Sequence, residues 1–232
     1  MNIAIIPARG GSKRIPNKNI KHFAGKPIIA YSIEAAKASG IFDKILVSTD
    51  SERIAQTAKE FGAEVPFMRP IQLSDDFTPT APVLLHALKW LEKKRMHAKF
   101  ACCIYATAPF VKPEYIKKGF NLIVSNKASC AFSVTSFPFS IFRALNIKES
   151  GCLEMFWPEH ENTRSNDLPK AYHDAGQFYW LDTNKFFQIK KVYGNTALPI
   201  IIPRFLVHDI DTHEDWQTAE VMYEVCKKRG LL

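Results

Sequence analysis

The chain has 232 residues, 31 Lys+Arg against 23 Asp+Glu, and a formal net charge of +8. An apolar fraction of 47% and a charged fraction of 23% fit a soluble globular protein of one large or two small domains, and exclude disordered and fibrous classes. The longest uncharged stretch, Ala128 to Phe142, is shorter than the ~18 apolar residues of a membrane-spanning helix and holds Ser, Thr and Pro.

Ile3-Ala4-Ile5-Ile6 reads as a short buried strand, with no basic leader before it to mark a signal peptide. It runs into Pro7-Ala8-Arg9-Gly10-Gly11-Ser12, a glycine loop. Pro27 opens a helical pattern with Ile29, Ile33 and Ala36 on one face, and Gly40 ends it. Lys44 to Thr49 is a second strand. Asp50 or Ser51 can cap the next helix, in which Ile54, Ala55, Ala58 and Phe61 recur at helical spacing. Gly62 to Val65 begins a return to the sheet. Pro79 to Arg95 reads as a longer helix with a stripe of Val83, Leu84, Ala87, Leu88 and Leu91. Phe100 to Tyr105 is a strand, Tyr115 to Val124 a helix and Ser129 to Val134 a strand. This alternation predicts an α/β fold, with a parallel sheet covered by helices.

Residues 135–170 break the rhythm: Phe137, Phe139, Phe142, Phe156 and Trp157 sit among Pro, Ser and Asn. They are either core aromatics under an irregular excursion or an arm that packs on a second subunit, since aromatics are enriched at interface cores. Gly176 to Leu181 resumes the sheet. A last helix follows Thr212, which with Asp215 has the spacing of a capping box. Trp216, Ala219, Met222 or Tyr223, and Cys226 mark its buried face, and Lys227, Lys228 and Arg229 suit its C-terminal dipole.

The charge is uneven. Arg9, Lys13, Arg14, Lys18, Lys21 and Lys26 all precede the first acidic residue, Glu34, so most of the excess lies in one glycine-containing segment. Adjacent glycines let the backbone approach an anion and turn N–H groups toward it. Arg9 can grip a phosphate bidentately, while Lys13 and Lys18 act as point charges. Neither the Walker pattern nor G-x-G-x-x-G is present. The alternative is a basic surface loop that aids solubility.

A second constellation is His208-Asp209-Ile210-Asp211-Thr212. On extended backbone, Asp209 and Asp211 point to one face, and two such like charges call for a divalent cation; magnesium suits oxygen ligands and phosphate-bearing substrates. The alternative is a pair of exposed turn residues. No H-E-x-x-H, G-x-S-x-G or kinase signature occurs, and the seven histidines are scattered. Cysteines 102, 103, 130, 152 and 226 form no C-x-x-C pair, so neither a disulfide framework nor a zinc site is expected, and a cytoplasmic protein is.

The run Ile5-Ile6-Pro7-Ala8-Arg9-Gly10-Gly11-Ser12-Lys13-Arg14-Ile15-Pro16-Asn17-Lys18-Asn19 resembles the signature of the CMP-sialic acid synthetase (acylneuraminate cytidylyltransferase) family. Gly25-Lys26-Pro27, Ser48-Thr49-Asp50, Arg69-Pro70, Arg164 to Pro169 and Asp209 to Thr212 follow in order, so the resemblance spans essentially the whole chain. It implies a Rossmann-like nucleotidyltransferase fold, a mostly parallel sheet flanked by helices, in one domain over 1–232 with a dimerisation arm inserted at 135–170. It implies a homodimer, and transfer of CMP from CTP to the anomeric hydroxyl of an acidic nine-carbon sugar with release of pyrophosphate. By position it implies that Ala8, Arg9, Gly10, Gly11, Ser12, Lys13, Lys18, Asn19 and Arg69 bind the nucleotide, and that Asp209 and Asp211 hold Mg2+. Arg9, Lys18 and the two aspartates would carry catalysis; no general base is assigned. Arg164 would lie near the sugar or at the dimer edge.

Tyr105-Ala106-Thr107-Ala108-Pro109-Phe110 replaces the Q-P-T-S-P of sialic acid enzymes, and Ala175-Gly176-Gln177-Phe178-Tyr179 replaces their N-G-A-I-Y. Both segments are similar instead to the branch of the family that activates pseudaminic acid, a diacylamino, less hydroxylated acid. The resemblance then places Tyr105, Thr107, Arg164, Asp174, Gln177 and Tyr179 at the sugar. N-acetylneuraminic and legionaminic acids are the alternative substrates, with the eight-carbon 3-deoxy-manno-octulosonic acid behind them. Rivals of another class are a basic nucleic-acid-binding module and a non-catalytic nucleotide sensor. Positional sorting of the charge favours a triphosphate over a polymer, and neither nucleic acid nor membrane is expected as a partner.

Overall fold

The computed structural model describes residues 1–194 and 196–232. Strand β1 (Asn2–Pro7) is apolar on both faces because both faces are covered: Ile3 and Ile5 pack to one side, Ala4 and Ile6 to the other. A small hairpin, β2 (His22–Phe23) with β3 (Lys26–Pro27), follows the glycine loop and leads into α1 (Ile28–Ser39), which Gly40 ends in the left-handed conformation. Then come β4 (Lys44–Ser48), α2 (Glu52–Glu60), α3 (Thr80–Lys93), β5 (Phe100–Ile104), α4 (Pro113–Asn126) and β6 (Cys130–Ser136). Each lies where the periodicity places it, to within a residue or two at most ends. The return to the sheet after Gly62 is made by two isolated parallel bridges, Leu46 with Glu64 and Thr49 with Met68.

Residues 137–171 leave the body of the sheet. They hold a short hairpin of β7 (Leu145–Ile147) and β8 (Leu153–Met155), flanked by single turns of 3-10 helix. The segment is a projecting arm whose aromatics are largely exposed, Phe139 at 84% and Phe156 at 58%, so they are not core residues. The chain re-enters through β9 (Tyr172–Asp182), then α5 (Thr183–Ile189), β10 (Ala197–Ile201) and α6 (His213–Lys228). The Thr212–Asp215 capping box is present.

The six-stranded sheet runs β10-β6-β9-β5-β1-β4. All neighbours are parallel except β9, which is antiparallel to both β5 and β6. One face packs on α1, α4 and α6 through residues such as Ile33, Ile116 and Trp216; the other packs on α3 and α5 through Leu84, Leu88 and Phe186. From β1 the chain moves outward to β4 and then crosses to β5 on the other side of β1. Ligands of open α/β sheets bind at such a reversal, beyond the carboxyl ends of the strands. No helix among the described residues is long and apolar enough to cross a membrane.

Candidate active site

A cavity of about 260 Å³ opens at that reversal, walled by the loop after β1, the loop after β5 and the N-terminus of α3. It brings together Arg9, Ser12, Lys13, Lys18, Asn19, Arg69, Tyr105, Thr107 and Asp211 from the sequence-derived set. Pro7, Arg14, Ile15, Thr78, Thr80, Val83 and Ala106 complete the lining.

The glycine loop is held by specific bonds. The Ala8 amide donates to the Ser48 carbonyl at 2.9 Å, extending the β1–β4 ladder by one bond, so Ala8 is buried behind the loop rather than in the cavity wall. The Gly10 amide donates to Asp50 Oδ1 at 2.8 Å, and Asn19 Nδ2 donates to the Arg9 carbonyl at 2.8 Å. Gly10 and Gly11 do not line the cavity; they shape the turn that presents Arg9, Ser12 and Lys13. A Cβ at Gly10 would sit 3.1 Å from Ser51 Cβ, a contact tight enough to favour glycine there.

Four cations of the loop share two carboxylates. Arg9 and Lys13 pair with Asp76, and their hydrogen bonds hold its carboxyl below the usual aspartate range. Arg14 Nη2 meets Asp211 Oδ2 at 2.8 Å, and Lys18 Nζ meets Asp211 Oδ1 at 3.1 Å and the Ile210 carbonyl at 2.7 Å. Each carboxylate thus bridges two cations, as a phosphate would. Arg69 is buried at 6% exposure, donates Nη2 to the Ser48 carbonyl at 2.7 Å, and keeps an unpartnered Nε. Burial lowers its pKa, with Arg9 acting in the same direction and Asp50 opposing.

Ile210 is buried while Asp209 and Asp211 lie outside it, as extended alternation requires. Asp211 lines the cavity, whereas Asp209, predicted beside it as a metal ligand, does not. Partial burial and then the neighbouring Asp211 charge raise the Asp209 carboxyl, with Lys18 opposing. Nothing among the described residues groups three or more His, Cys, Asp or Glu side chains as a metal cage. Asp211 in the cavity wall, with Asp209 two residues before it, nevertheless fits how magnesium is commonly held, by one or two carboxylates plus the substrate's phosphates. An Asp209 charge raised in energy by its surroundings is what a cation would relieve.

The residues assigned to the sugar divide. Tyr105 and Thr107 line the cavity, and the Tyr105 hydroxyl lies 2.9 Å from that of Thr80. Burial pushes the Tyr105 phenol up to about 12, so it stays protonated and able to donate at neutral pH. Tyr179 packs behind it, with ring centroids 5.4 Å apart, and gives its hydroxyl to Asp174 at 2.7–2.8 Å. Tyr193 donates to the same carboxylate at 2.7 Å. Asp174 is therefore committed to two phenols and to the Gly176 amide, and supports the wall rather than facing the cavity. Gln177 also points away: it is buried, with Nε2 bonded to the Leu206 carbonyl. Arg164 is exposed on the arm, apart from the cavity.

The placements of Asp174 and Gln177 coincide with one irregularity in β9. Phe132 pairs with Tyr179 but Val134 pairs with Asp174, so residues 175–178 of β9 face the single residue Ser133. Gly176 takes a positive φ of 61° in this bulge, and the Ser133 hydroxyl accepts the Gln177 and Phe178 amides. Simple strand alternation therefore fails there. Thr78, Thr80, Asp76 and Tyr193 were not in the sequence-derived set. Thr78-Pro79-Thr80 at a helix start was the one signal that could have found the first two.

Against known proteins, a family model described as cytidylyltransferase matches residues 3–227. A pseudaminic acid cytidylyltransferase of Campylobacter jejuni is 41% identical over 224 residues, covering 97% of each chain. A CMP-N,N'-diacetyllegionaminic acid synthase of Legionella pneumophila is 31% identical over 96% of each. Among solved structures, a CMP:2-keto-3-deoxy-manno-octonic acid synthetase complexed with CTP superposes with a TM-score of 0.70 at 15% identity, covering 97% of this chain and 98% of that one. A cation-lined cavity at the switch point of a doubly wound sheet, a full-length family match and close relatives agree: the chain belongs to the cytidylyltransferase family.

Proposed function

We propose that the protein transfers CMP from CTP to the anomeric hydroxyl of pseudaminic acid, giving CMP-pseudaminic acid and pyrophosphate. The observation that carries this reading is the 41% identity over 97% of both chains to an enzyme named for that sugar, against 31% for the legionaminic acid relative. The cavity wall supports it: Tyr105, with Tyr179 packed behind it, presents a phenol ring where sialic acid enzymes carry the Gln of Q-P-T-S-P, and a ring suits a less hydroxylated sugar better than an amide.

In the proposed reaction the sugar hydroxyl attacks the α-phosphorus of CTP and releases its proton to solvent, a new P–O bond forms, and the bond from the α-phosphorus to the oxygen bridging the β-phosphate breaks as pyrophosphate departs. Charge builds on the α-phosphate and the leaving group, so fixed donors aimed there supply the main acceleration. Arg9, Lys13 and Lys18 bind the triphosphate by exchanging Asp76 and Asp211 for phosphate oxygens. Arg69 adds a buried guanidinium with an unused Nε. Asp209 and Asp211 are the residues to hold magnesium, which supplies charge neutralisation of the phosphates when bound. Asn19 sets the loop, and Thr80 and Tyr105 close the far wall.

The arm pairs two copies in this reading, because Phe139, Leu145, Ile147, Leu153 and Phe156 present apolar surface there. The cytoplasm, where CTP is made, is the compartment proposed. The test is CTP-dependent pyrophosphate release on pseudaminic, legionaminic and N-acetylneuraminic acids, each with and without magnesium. Preferential, magnesium-dependent turnover of pseudaminic acid is expected; preference for another acid, or CTP binding with no turnover of any, overturns the assignment.

A further inference from the structure

The Ser48-Thr49-Asp50 segment is not absorbed by the mechanism above. Sequence pattern leaves Asp50 and Ser51 as equal candidates to cap α2. The structure divides the labour: Ser51 Oγ accepts the Ile54 amide at 3.5 Å, and Thr49 Oγ1 accepts the Ser51 amide at 3.1 Å. The Asp50 carboxylate is thereby free of the helix and crosses to the glycine loop.

Its bond there has a particular geometry. Asp50 Oδ1 accepts the Gly10 N–H at 2.8 Å, while Asn19 Nδ2 donates to the Arg9 carbonyl at 2.8 Å. These are the two polar ends of one peptide unit. A peptide plane gripped at both ends cannot rotate about its flanking ψ and φ, so the direction in which Arg9 leaves the backbone is set. Contact reinforces the grip, since a Cβ on Gly10 would come within 3.1 Å of Ser51 Cβ. Among the described residues no Lys or Arg forms an ion pair with Asp50, so its carboxylate is not consumed by a competing cation. It also lies where it offsets the mutual repulsion of Arg9 and Arg69.

We propose that Asp50 is a positioning residue for nucleotide binding: with Asn19 it clamps the Arg9–Gly10 peptide and so preorganises Arg9 for the triphosphate. This rests on the reading of the cavity as the CTP site. Preorganisation raises affinity by removing an ordering cost from the binding step.

The test uses the full chain and CTP with magnesium, followed by calorimetry and by steady-state pyrophosphate release. Asp50→Asn keeps an Oδ1 acceptor for Gly10, and its Kd for CTP is expected within about threefold of wild type. Asp50→Ala leaves the amide unpaired, and Kd and KM for CTP should rise about tenfold while KM for the sugar acid is unchanged. Should Asp50→Ala melt below the assay temperature, Asp50→Ser, too short to reach Gly10, takes its place with the same expected loss. Equal CTP affinity in wild type and Asp50→Ala overturns the proposal. So does an equal loss in the Asn and Ala variants, which would assign the effect to charge rather than to the clamp. Failure of the wild type to bind CTP would instead refute the nucleotide reading on which it rests.

Discussion

Replacing Lys18 by Met removes one ammonium while keeping the aliphatic stem that packs in the cavity wall. Two consequences can be worked from the structure. In the free protein Lys18 donates to the Ile210 carbonyl at 2.7 Å and to Asp211 at 3.1 Å, with its side chain 19% exposed. Losing both bonds at a half-buried site costs about 2 kcal/mol, or about 4–8 °C in Tm for a chain of this size. In the complex the loss is larger, because a hydrogen bond to a charged oxygen is worth about 1.5–3 kcal/mol. That corresponds to a fall of about 10- to 150-fold in kcat/KM for CTP. Asp211 keeps Arg14, so the loop retains one of its two anchors there and the fold survives. Lys18→Arg restores charge but carries a planar fork into a site shaped for a point charge, and is expected to recover only part of the loss. The assay is initial-rate pyrophosphate release at sub-saturating CTP alongside a thermal melt. A loss under about threefold in Lys18→Met, at unchanged Tm, would refute the placement of this ammonium on the triphosphate.

Three further outcomes are expected. The Asp209 carboxyl is raised by burial and by Asp211, so its charge destabilises the metal-free fold above its folded pKa and costs nothing below the unfolded one. Asp209→Asn should therefore raise the metal-free Tm at pH 7 by about 1–2 °C, a gain that fades as pH falls through the carboxylate range, while magnesium-dependent turnover drops by orders of magnitude; a gain constant with pH, or retained turnover, contradicts this. Asp76 competes with the nucleotide for Arg9 and Lys13, so Asp76→Asn should lower the Kd for CTP a few-fold by calorimetry, and weaker binding would show that Asp76 itself holds the ligand. Gly119→Ala drives a Cβ to 2.7 Å from Trp180 Cδ1 and 3.2 Å from Phe178 Cε2. Its overpacking cost outweighs the helix-propensity gain, for a net loss of about 1–2 kcal/mol and a Tm lower by about 2–8 °C; a raised Tm would refute it.

The sheet and the cation-rich glycine loop were legible in the chain because their causes are local. A strand covered on both faces must be apolar throughout, as Ile3 to Ile6 is, and a loop that approaches an anion needs glycine and cations together, as Arg9 to Lys18 supplies. The same holds for Thr212, whose capping box is closed by a residue three positions on. The small hairpin at His22–Pro27, helix α5 and the arm hairpin left too short a period to read.

What the residues by themselves determined, then, is the α/β class, the position of the cation-rich glycine loop and the family. Tertiary structure decided which carboxylate each cation meets, since Asp76 and Asp211 reach Arg9, Lys13, Arg14 and Lys18 across separations set by the crossover of the sheet. It also decided that Asp174 supports the wall and Gln177 turns away to the Leu206 carbonyl, where a bulge opposite Ser133 cancels strand alternation. Periodicity reports only which face of its own element a residue occupies. Which other element waits on that face is a matter of strand order and register, and those depend on contacts between segments far apart in the chain.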